Sequence, residues 1–152
     1  MSPIQTVNQF FQAIIEKKTA EIQAFYVQDE QTYVILEGPR LATLGFSKIQ
    51  KGWFDFCDSP ISLDTIDWLE GPFAESEGDM AWVAGILKLS ITVKEKTFHQ
   101  TFRASFVLKK QVNTPQNPEY TEGWLIRHEH ISGALTDPYG MGDWLKTTNN
   151  VI

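Results

Sequence analysis

The stretch MAWVAGILKLSITV, residues 80–93, constrains the fold more than any other part of the sequence. Its odd-numbered positions are all small or apolar, whereas its even-numbered positions are mixed in character. A period of two residues predicts a long β-strand with one face in the hydrophobic core. Because a single strand cannot bury that face alone, other elements must supply at least a second layer.

The segments around this stretch continue the pattern of strands. A hairpin at 94–96 leads to TFHQTFRASFVLKK, residues 97–110, on which one face is mainly apolar: Phe98, Phe102, Ala104, Phe106 and Leu108. A weaker strand is predicted at 61–70. The stretch GPFAESEGD, residues 71–79, is rich in turn-forming residues and is predicted to be a loop.

The first sixty residues show helical spacing instead. Ser2 and Gln5 form a capping box at the start of a first helix. A second, short helix is predicted from Thr19, and a third is predicted over residues 45–57. Two short strands are expected between the second and third helices, at 32–37 and 41–44.

Helices followed by strands that are joined through hairpins define an α+β fold. A long antiparallel sheet twists and must curl, so the helices can cover only its concave side. We therefore predict a cone-shaped, curved antiparallel β-sheet wrapped around the N-terminal helices. Such a cone leaves room for a pocket at its open end, and its convex face is free to form a homodimer.

The charge balance argues against two classes of partner. The formal net charge is −6, and basic residues occur in no cluster larger than the pairs at 17–18 and 109–110. Binding to a nucleic acid backbone relies on clustered Lys and Arg, so neither nucleic acid nor an anionic membrane is an expected partner.

The N-terminus does not resemble a secretory signal peptide, and no apolar run reaches membrane-spanning length. With Cys57 as the one cysteine, we expect a cytoplasmic protein.

Five short motifs follow one another along the chain. They are VNQFFQAI in the first helix, LGFSKI at the start of the third, EGDMAWV at the entry to the long strand, then FRASFVLKK and GWLIRHEHISG. Their order and spacing resemble those of the nuclear-transport-factor-2-like superfamily. Within it, the chain looks most like SnoaL-like domains and the association domain of calcium/calmodulin-dependent kinase II.

The resemblance implies a cystatin-like cone, with residues 1–134 as the domain and 135–152 as a C-terminal extension. This scaffold hosts isomerases, dehydratases, cyclases and pure binding domains, so the resemblance does not specify a reaction. The kinase association domain carries a cluster of pocket arginines. Only Arg103 lies near one of those positions in this sequence.

The last strand, predicted from about Tyr120 to Ser132 after a loop at 112–119, carries the most polar candidates. Simple alternation gives it two faces: Trp124, Ile126, His128, His130 and Ser132 on one, and Leu125, Arg127, Glu129 and Ile131 on the other. A catalytic zinc site needs a third ligand, which the sequence does not supply nearby, so no metal is predicted. His128 is a candidate for binding or acid–base chemistry. Alternatively, the two histidines only mark the polar edge of the core.

Arg103 is the second candidate, because it stands alone on a strand of Phe and small residues. A buried arginine must be paired, and either Glu129 on the neighbouring strand or a ligand oxygen can supply the partner. Tyr33 lies on an apolar strand and is able to reach a pocket. The catalytic candidates are therefore His128, Arg103 and Tyr33, from which no complete acid–base set can be assembled.

The large aromatic residues have two interpretations. Helical and strand spacing makes them most simply core material: Phe11, Tyr33, Trp53, Phe56, Trp68 and Trp82. Alternatively, some of them frame a cavity for a flat apolar molecule. The predicted binding residues are Tyr33, Trp53, Trp82, Arg103, His128 and His130, and no cofactor is predicted.

Three functions stay open on the sequence alone. The first is a homodimeric small-molecule-binding domain without catalysis. The second is an isomerase, cyclase or dehydratase that acts by acid–base chemistry on a cyclic substrate. The third is an oligomerisation module like the kinase association domain. The incomplete acid–base set favours the first function over the second.

Overall fold

The structure of the chain is a computed structural model that describes residues 1–111, 123–137, 139, 140 and 142. It contains three helices: α1 (Pro3–Ile15), α2 (Thr19–Ala24) and α3 (Phe46–Cys57). Its strands are β1 (Tyr33–Ile35), β2 (Thr43–Leu44), β3 (Ser62–Glu77), β4 (Met80–Val93), β5 (Lys96–Gln111) and β6 (Gly123–Ser132). The α+β order predicted from the sequence is confirmed.

All six strands form one curled, unclosed sheet in the order β2-β1-β6-β5-β4-β3. The hairpin partners β3–β4 and β4–β5 are antiparallel, as predicted. β1, however, runs parallel to β6, so the sheet is mixed and the prediction of a purely antiparallel sheet was wrong for this pair. A tight hairpin forces antiparallel pairing. β1 and β6 are distant in the chain, so no hairpin fixes their relative direction.

The first helix begins as its sequence predicts. The backbone N–H of Gln5 donates to the side-chain oxygen of Ser2 at 3.1 Å, and the Ser2 N–H donates to the Gln5 side chain at 2.8 Å. This capping box satisfies backbone donors that an uncapped helix leaves without partners. It fixes where α1 starts.

The core lies between the helices and the inner face of the sheet. On β4 and β5 most of the inward positions predicted from alternation are buried: Ala81, Val83, Leu87, Leu89, Phe102, Ala104, Phe106 and Leu108. Phe98, predicted on the same face, is 48% exposed near the hairpin end of β5. Phe10 on α1 is surrounded by the rings of Phe25, Tyr26, Trp53 and Phe106, at centroid distances of 5.5 to 6.2 Å. These rings fill the interior of the cone.

The stretch at 71–79 is not the loop that its composition predicted. β3 continues through it to Glu77, with register shifts around Glu70 and Phe73. Bulges of this kind absorb residues that fit a regular ladder poorly and let a strand bend with the curled sheet. Pairing with β4 therefore outweighs the local preference for a turn.

Other predictions concern residues outside the described ranges. The loop at 112–119 and the start of the last strand at Tyr120 are among them, as is most of the extension at 135–152. Within the extension, Leu135 and Tyr139 are both exposed. The division at residue 134 stays a prediction. No helix in the described part of the chain is long and apolar enough to cross a membrane.

Candidate functional site

The geometry of the site begins with a β-bulge in β6. Ile126 pairs with Leu108 of β5, but the next pair joins His128 to Val107, so Arg127 is an extra residue. The Nη1 of Arg127 donates to Asp29 Oδ1 at 2.7 Å, which ties the segment after α2 to β6. Because of the bulge, Ile126 and Glu129 both face the interior, although regular alternation places them on opposite faces.

Inside the cone, Glu129 belongs to a chain of three polar side chains. Trp53 Nε1 on α3 donates to the hydroxyl of Tyr26 at 2.9 Å, and that hydroxyl donates to Glu129 Oε1. Tyr26 is held in place by backbone hydrogen bonds between β6 and its neighbours: the Ile126 N–H donates to Phe25 O at 2.7 Å. Tyr26 and Glu129 are 0% and 1% exposed, so this network is fully buried.

Burial changes the acidity of both acidic groups. Loss of solvation raises the pKa of Glu129 from 4.5 to about 7, although the hydrogen bond from Tyr26 partly opposes the shift. Loss of solvation, and then the negative charge of Glu129, raise the pKa of Tyr26 well above 10. The Glu129 carboxyl can therefore give up or accept a proton near neutral pH, which is the property that general acids and bases need.

The other face of the sheet, here called the outer face, points away from the helices. In one row across the strands lie Glu75, Trp82, Val107, His128 and Tyr33. Beside this row lie Phe73 and Met80. Several of these large apolar side chains are well exposed: Tyr33 and Met80 at 40%, Trp82 at 41% and Phe73 at 55%. Tyr33 and Trp82 are thus not core residues, contrary to the simplest sequence interpretation.

The six predicted binding residues do not gather at one place. Trp53 lies inside the cone, whereas Tyr33, Trp82, Arg103, His128 and His130 lie on the outer face. Of these, Tyr33 and His128 do meet, with stacked rings 5.7 Å apart. The Tyr33 carbonyl lies 2.7 Å from His128 Nδ1. The binding and catalytic roles of these residues stay predictions.

Arg103 does not pair with Glu129, which was one of the two partners that the sequence left open. Arg103 Nη2 donates to Ser132 Oγ at 3.1 Å and to the Gly133 carbonyl at 2.9 Å, on the outer face. Glu129 is on the inner face, as the bulge requires. Arg103 therefore needs no buried partner, because its guanidinium stays in contact with solvent and with the end of β6.

Two depressions among the described residues lie on the surface of the molecule. One, of about 290 Å³, lies on the outer face and is lined in part by Glu75, Glu77 and Trp82. The other, of about 470 Å³, lies between α2 and α3 beside the exposed Phe54. Across the ranges that the structure describes, no three His, Cys, Asp or Glu side chains are close enough to hold a metal ion.

The sequence analysis did not identify Glu129 as a buried acid. One signal was present: Ile126 and Ile131 are five residues apart, so a regular strand cannot place both in the core. If both isoleucines are assigned to the core, a bulge must lie between them. Neither its position nor the burial of Glu129 follows from the sequence, because the tyrosine partner is about a hundred residues away.

Comparison with solved structures identifies the fold. A nuclear transport factor 2 (NTF2)-like superfamily protein from Salmonella enterica superposes with a TM-score of 0.71 at 20% identity, covering 91% of this chain and 93% of that one. A calcium/calmodulin-dependent protein kinase type II association-domain-like protein from Thiobacillus denitrificans gives 0.65 at 15% identity, covering 88% and 96%. A ketosteroid isomerase-like protein from Erwinia carotovora gives 0.64 at 10%, covering 84% and 89%.

The chain therefore has the NTF2-like fold, as the motifs in its sequence indicated. No protein-family model matches the sequence, and no curated protein matches it. At these levels of identity the likeness establishes the fold and leaves the function to be argued from the site.

Proposed function

We propose that this protein is a self-associating NTF2-like domain that forms a homodimer through the outer face of its sheet. The observation that carries the proposal is the cluster of exposed apolar side chains on that face, around Trp82. Soluble monomers rarely leave a large contiguous apolar patch in water. Exposed aromatic residues are also the type that dominates binding energy in protein interfaces.

The form of the sheet supports the same proposal. Two antiparallel sheets that pack face to face bury such side chains in a shared layer about 10 Å thick. A homodimer with two-fold symmetry uses the same patch on both copies, so one apolar face is sufficient. The association-domain-like neighbour agrees with an assembly role, and the filled interior of this cone gives less support to ligand binding.

Sedimentation velocity tests the homodimer. We expect the wild-type protein to sediment as a dimer and Trp82→Asp to sediment as a monomer. An aspartate in the centre of the patch would be buried without a partner, which is unfavourable. Phe54→Asp is the matched control, since Phe54 is also an exposed aromatic but lies on α3. A monomeric wild type, or dissociation by Phe54→Asp alone, would overturn the proposal.

A second candidate function, binding of a small molecule inside the cone, is supported by the buried Glu129. A carboxyl group with a pKa of about 7 in an apolar interior is the kind of group found at functional sites. A ligand bearing a hydroxyl or carbonyl group would reach it only if the rings around Phe10 moved. The ketosteroid isomerase-like neighbour agrees with this candidate.

A thermal-shift screen of small aromatic, polyketide-like and carboxylic compounds tests the second candidate. A ligand at 100 times its dissociation constant adds about 2.7 kcal/mol, and each kcal/mol raises the melting temperature of a chain this size by roughly 2–4 °C. An interior site predicts hits that are lost in Glu129→Gln and kept in Arg103→Ala. The reverse pattern would place the ligand on the outer face, as the sequence-predicted residues imply, and the absence of hits would argue against binding.

A further inference from the structure

The outer face carries opposite charges on its two sides. On β3 lie three exposed glutamates, here called the acidic edge: Glu70, Glu75 and Glu77. On β5 and β6 lie four residues with basic side chains, here called the basic side: Arg103, Lys109, His128 and His130. β4, which carries Trp82 near its start, separates the two sides.

The register of the strands aligns these charges in rows. Glu75 pairs with Trp82, Trp82 with Val107, and Val107 with His128. Two residues further along β3, Glu77 pairs with Met80, which pairs with Lys109. Adjacent strands are about 4.8 Å apart, so the acidic edge and β6 are separated by roughly 14 Å. At that distance Glu75 cannot form an ion pair with His128 or His130 of its own copy.

Among the described residues, the ion pairs of the chain lie elsewhere: around the connection between α1 and α2, on α3, and between Arg127 and Asp29. The acidic edge and the basic side are therefore both available to a second molecule. Their arrangement is self-complementary in a face-to-face dimer. A two-fold axis that lies in the interface, parallel to the strands and midway between β4 and β5, places β3 of each copy over β6 of the other.

Other positions of the axis are less favourable. An axis through β3 would place the acidic edges of the two copies against each other. Like charges brought together in an interface cost free energy, and such repulsion selects against that arrangement. It would also leave Trp82 near the margin of the interface, whereas an axis between β4 and β5 places its indole close to Val107 of the other copy.

We propose that the two copies of the homodimer pack with the acidic edge of each against the basic side of the other. This inference rests on the proposed self-association and adds its orientation and specificity. Glu75 of one copy then lies over the His128–His130 segment of its partner. Apolar contacts at Trp82 supply the affinity, and the two identical charge contacts fix the relative orientation of the sheets.

Charge exchange between two variants tests the orientation. The first variant is Glu75→Lys with Glu77→Lys, and the second is His128→Glu with His130→Glu. The homodimer of the first variant loses both glutamate contacts with the basic side, and the homodimer of the second brings glutamates of the two copies together twice. A heterodimer of the two variants keeps one natural contact and gains one Lys–Glu contact.

We expect each variant alone to dimerise at least about tenfold more weakly than wild type, which corresponds to about 1.4 kcal/mol. In an equimolar mixture, native mass spectrometry should show the heterodimer in excess over the statistical two-to-one ratio to each homodimer. The charge-matched control is Glu21→Lys with Asp55→Lys, two exposed helical acids off the outer face, which should dimerise as wild type does.

The outcomes separate the two proposals. A monomeric wild type refutes the homodimer itself. A dimeric wild type whose variants mix in the statistical ratio refutes the orientation and leaves the homodimer intact. If a charge-reversed variant fails to fold by circular dichroism, Glu75→Gln with Glu77→Gln replaces it. That neutral variant must weaken dimerisation and reduce its dependence on salt, or the orientation is wrong.

Discussion

At the scale of single residues, Glu129 is the side chain whose environment differs most from that of its neighbours in the sequence. Its neighbours His128 and His130 lie on the outer face, and only the bulge at Arg127 turns Glu129 inward. A buried carboxylate costs free energy unless it is paired, and within the described part of the chain the Tyr26 hydroxyl donates to it. The carboxyl therefore holds its proton up to about pH 7.

This shift predicts how stability depends on pH. The pKa of Glu129 is higher in the folded chain than in the unfolded chain, so the folded state binds the extra proton. Its contribution to stability is fully present below pH 4.5 and is lost as the pH rises through 7. Between pH 5 and pH 8 the free energy of unfolding of wild type should fall, relative to Glu129→Gln, by on the order of 2–3 kcal/mol.

Urea unfolding at the two pH values measures this difference. The control is Glu21→Gln, an exposed glutamate on α2, which should keep the wild-type dependence on pH. The groups whose pKa is lowered, such as Asp29 beside Arg127, titrate below this window and do not contribute to it. A Glu129→Gln variant with the same dependence on pH as wild type would contradict the assignment.

At the scale of elements, the contact between β3 and β4 depends on a glycine. A Cβ added at Gly85 would lie 2.3 Å from the carbonyl oxygen of Glu70 and 2.9 Å from the Trp68 ring. Gly85 lies beside the bulges of β3, where the backbone of one strand comes unusually close to the next. Glycine in a strand interior often marks such a close approach.

We therefore expect Gly85→Ala to lower the free energy of unfolding by about 1–3 kcal/mol, since the clash involves backbone that cannot move freely. The matched control is Gly52→Ala on α3, where an added Cβ has no atom within 4 Å. Alanine is the better helix former, so this control should gain about 0.5–1 kcal/mol. Chemical unfolding of both variants measures the two effects, and equal stabilities would refute the close contact.

At the scale of the whole molecule, self-association links stability to concentration. A partner that binds only the folded chain stabilises it by mass action. For a homodimer, a hundredfold increase in protein concentration adds about 1.4 kcal/mol per chain, or roughly 3–5 °C in melting temperature. Calorimetry should show this rise for wild type and for Phe54→Asp, and no rise for Trp82→Asp. A melting temperature independent of concentration in wild type would argue for a monomer.

Much of the fold could be predicted because its signals are local. The capping box of α1 depends on residues three apart, and the inner faces of β4 and β5 follow from strict alternation. The order of helices and strands then indicates the cone, and the motifs indicate the same fold. Local composition failed at residues 71–79, where pairing with β4 holds a turn-like sequence in a strand.

The candidate site could not be predicted to the same degree. Alternation along β6 gives the wrong face for Glu129, because a bulge reverses the pattern after Ile126. Its partners Tyr26 and Trp53 come from a helix end and a second helix, and no spacing in the sequence connects them. For Arg103 the sequence left Glu129 and a ligand oxygen open as partners, although the same alternation that buries Phe102 and Ala104 places Arg103 on the outer face.

The sequence by itself determined the elements, the inward positions of the long hairpin and the α+β class, since these depend on periodicity and on turns between neighbouring segments. Only the tertiary structure decided the parallel pairing of β1 with β6, the bulge at Arg127 and the burial of Glu129. It also decided that Tyr33 and Trp82 lie on the outer face. These features depend on contacts between residues distant in the chain, where packing and sheet curvature outweigh local preference.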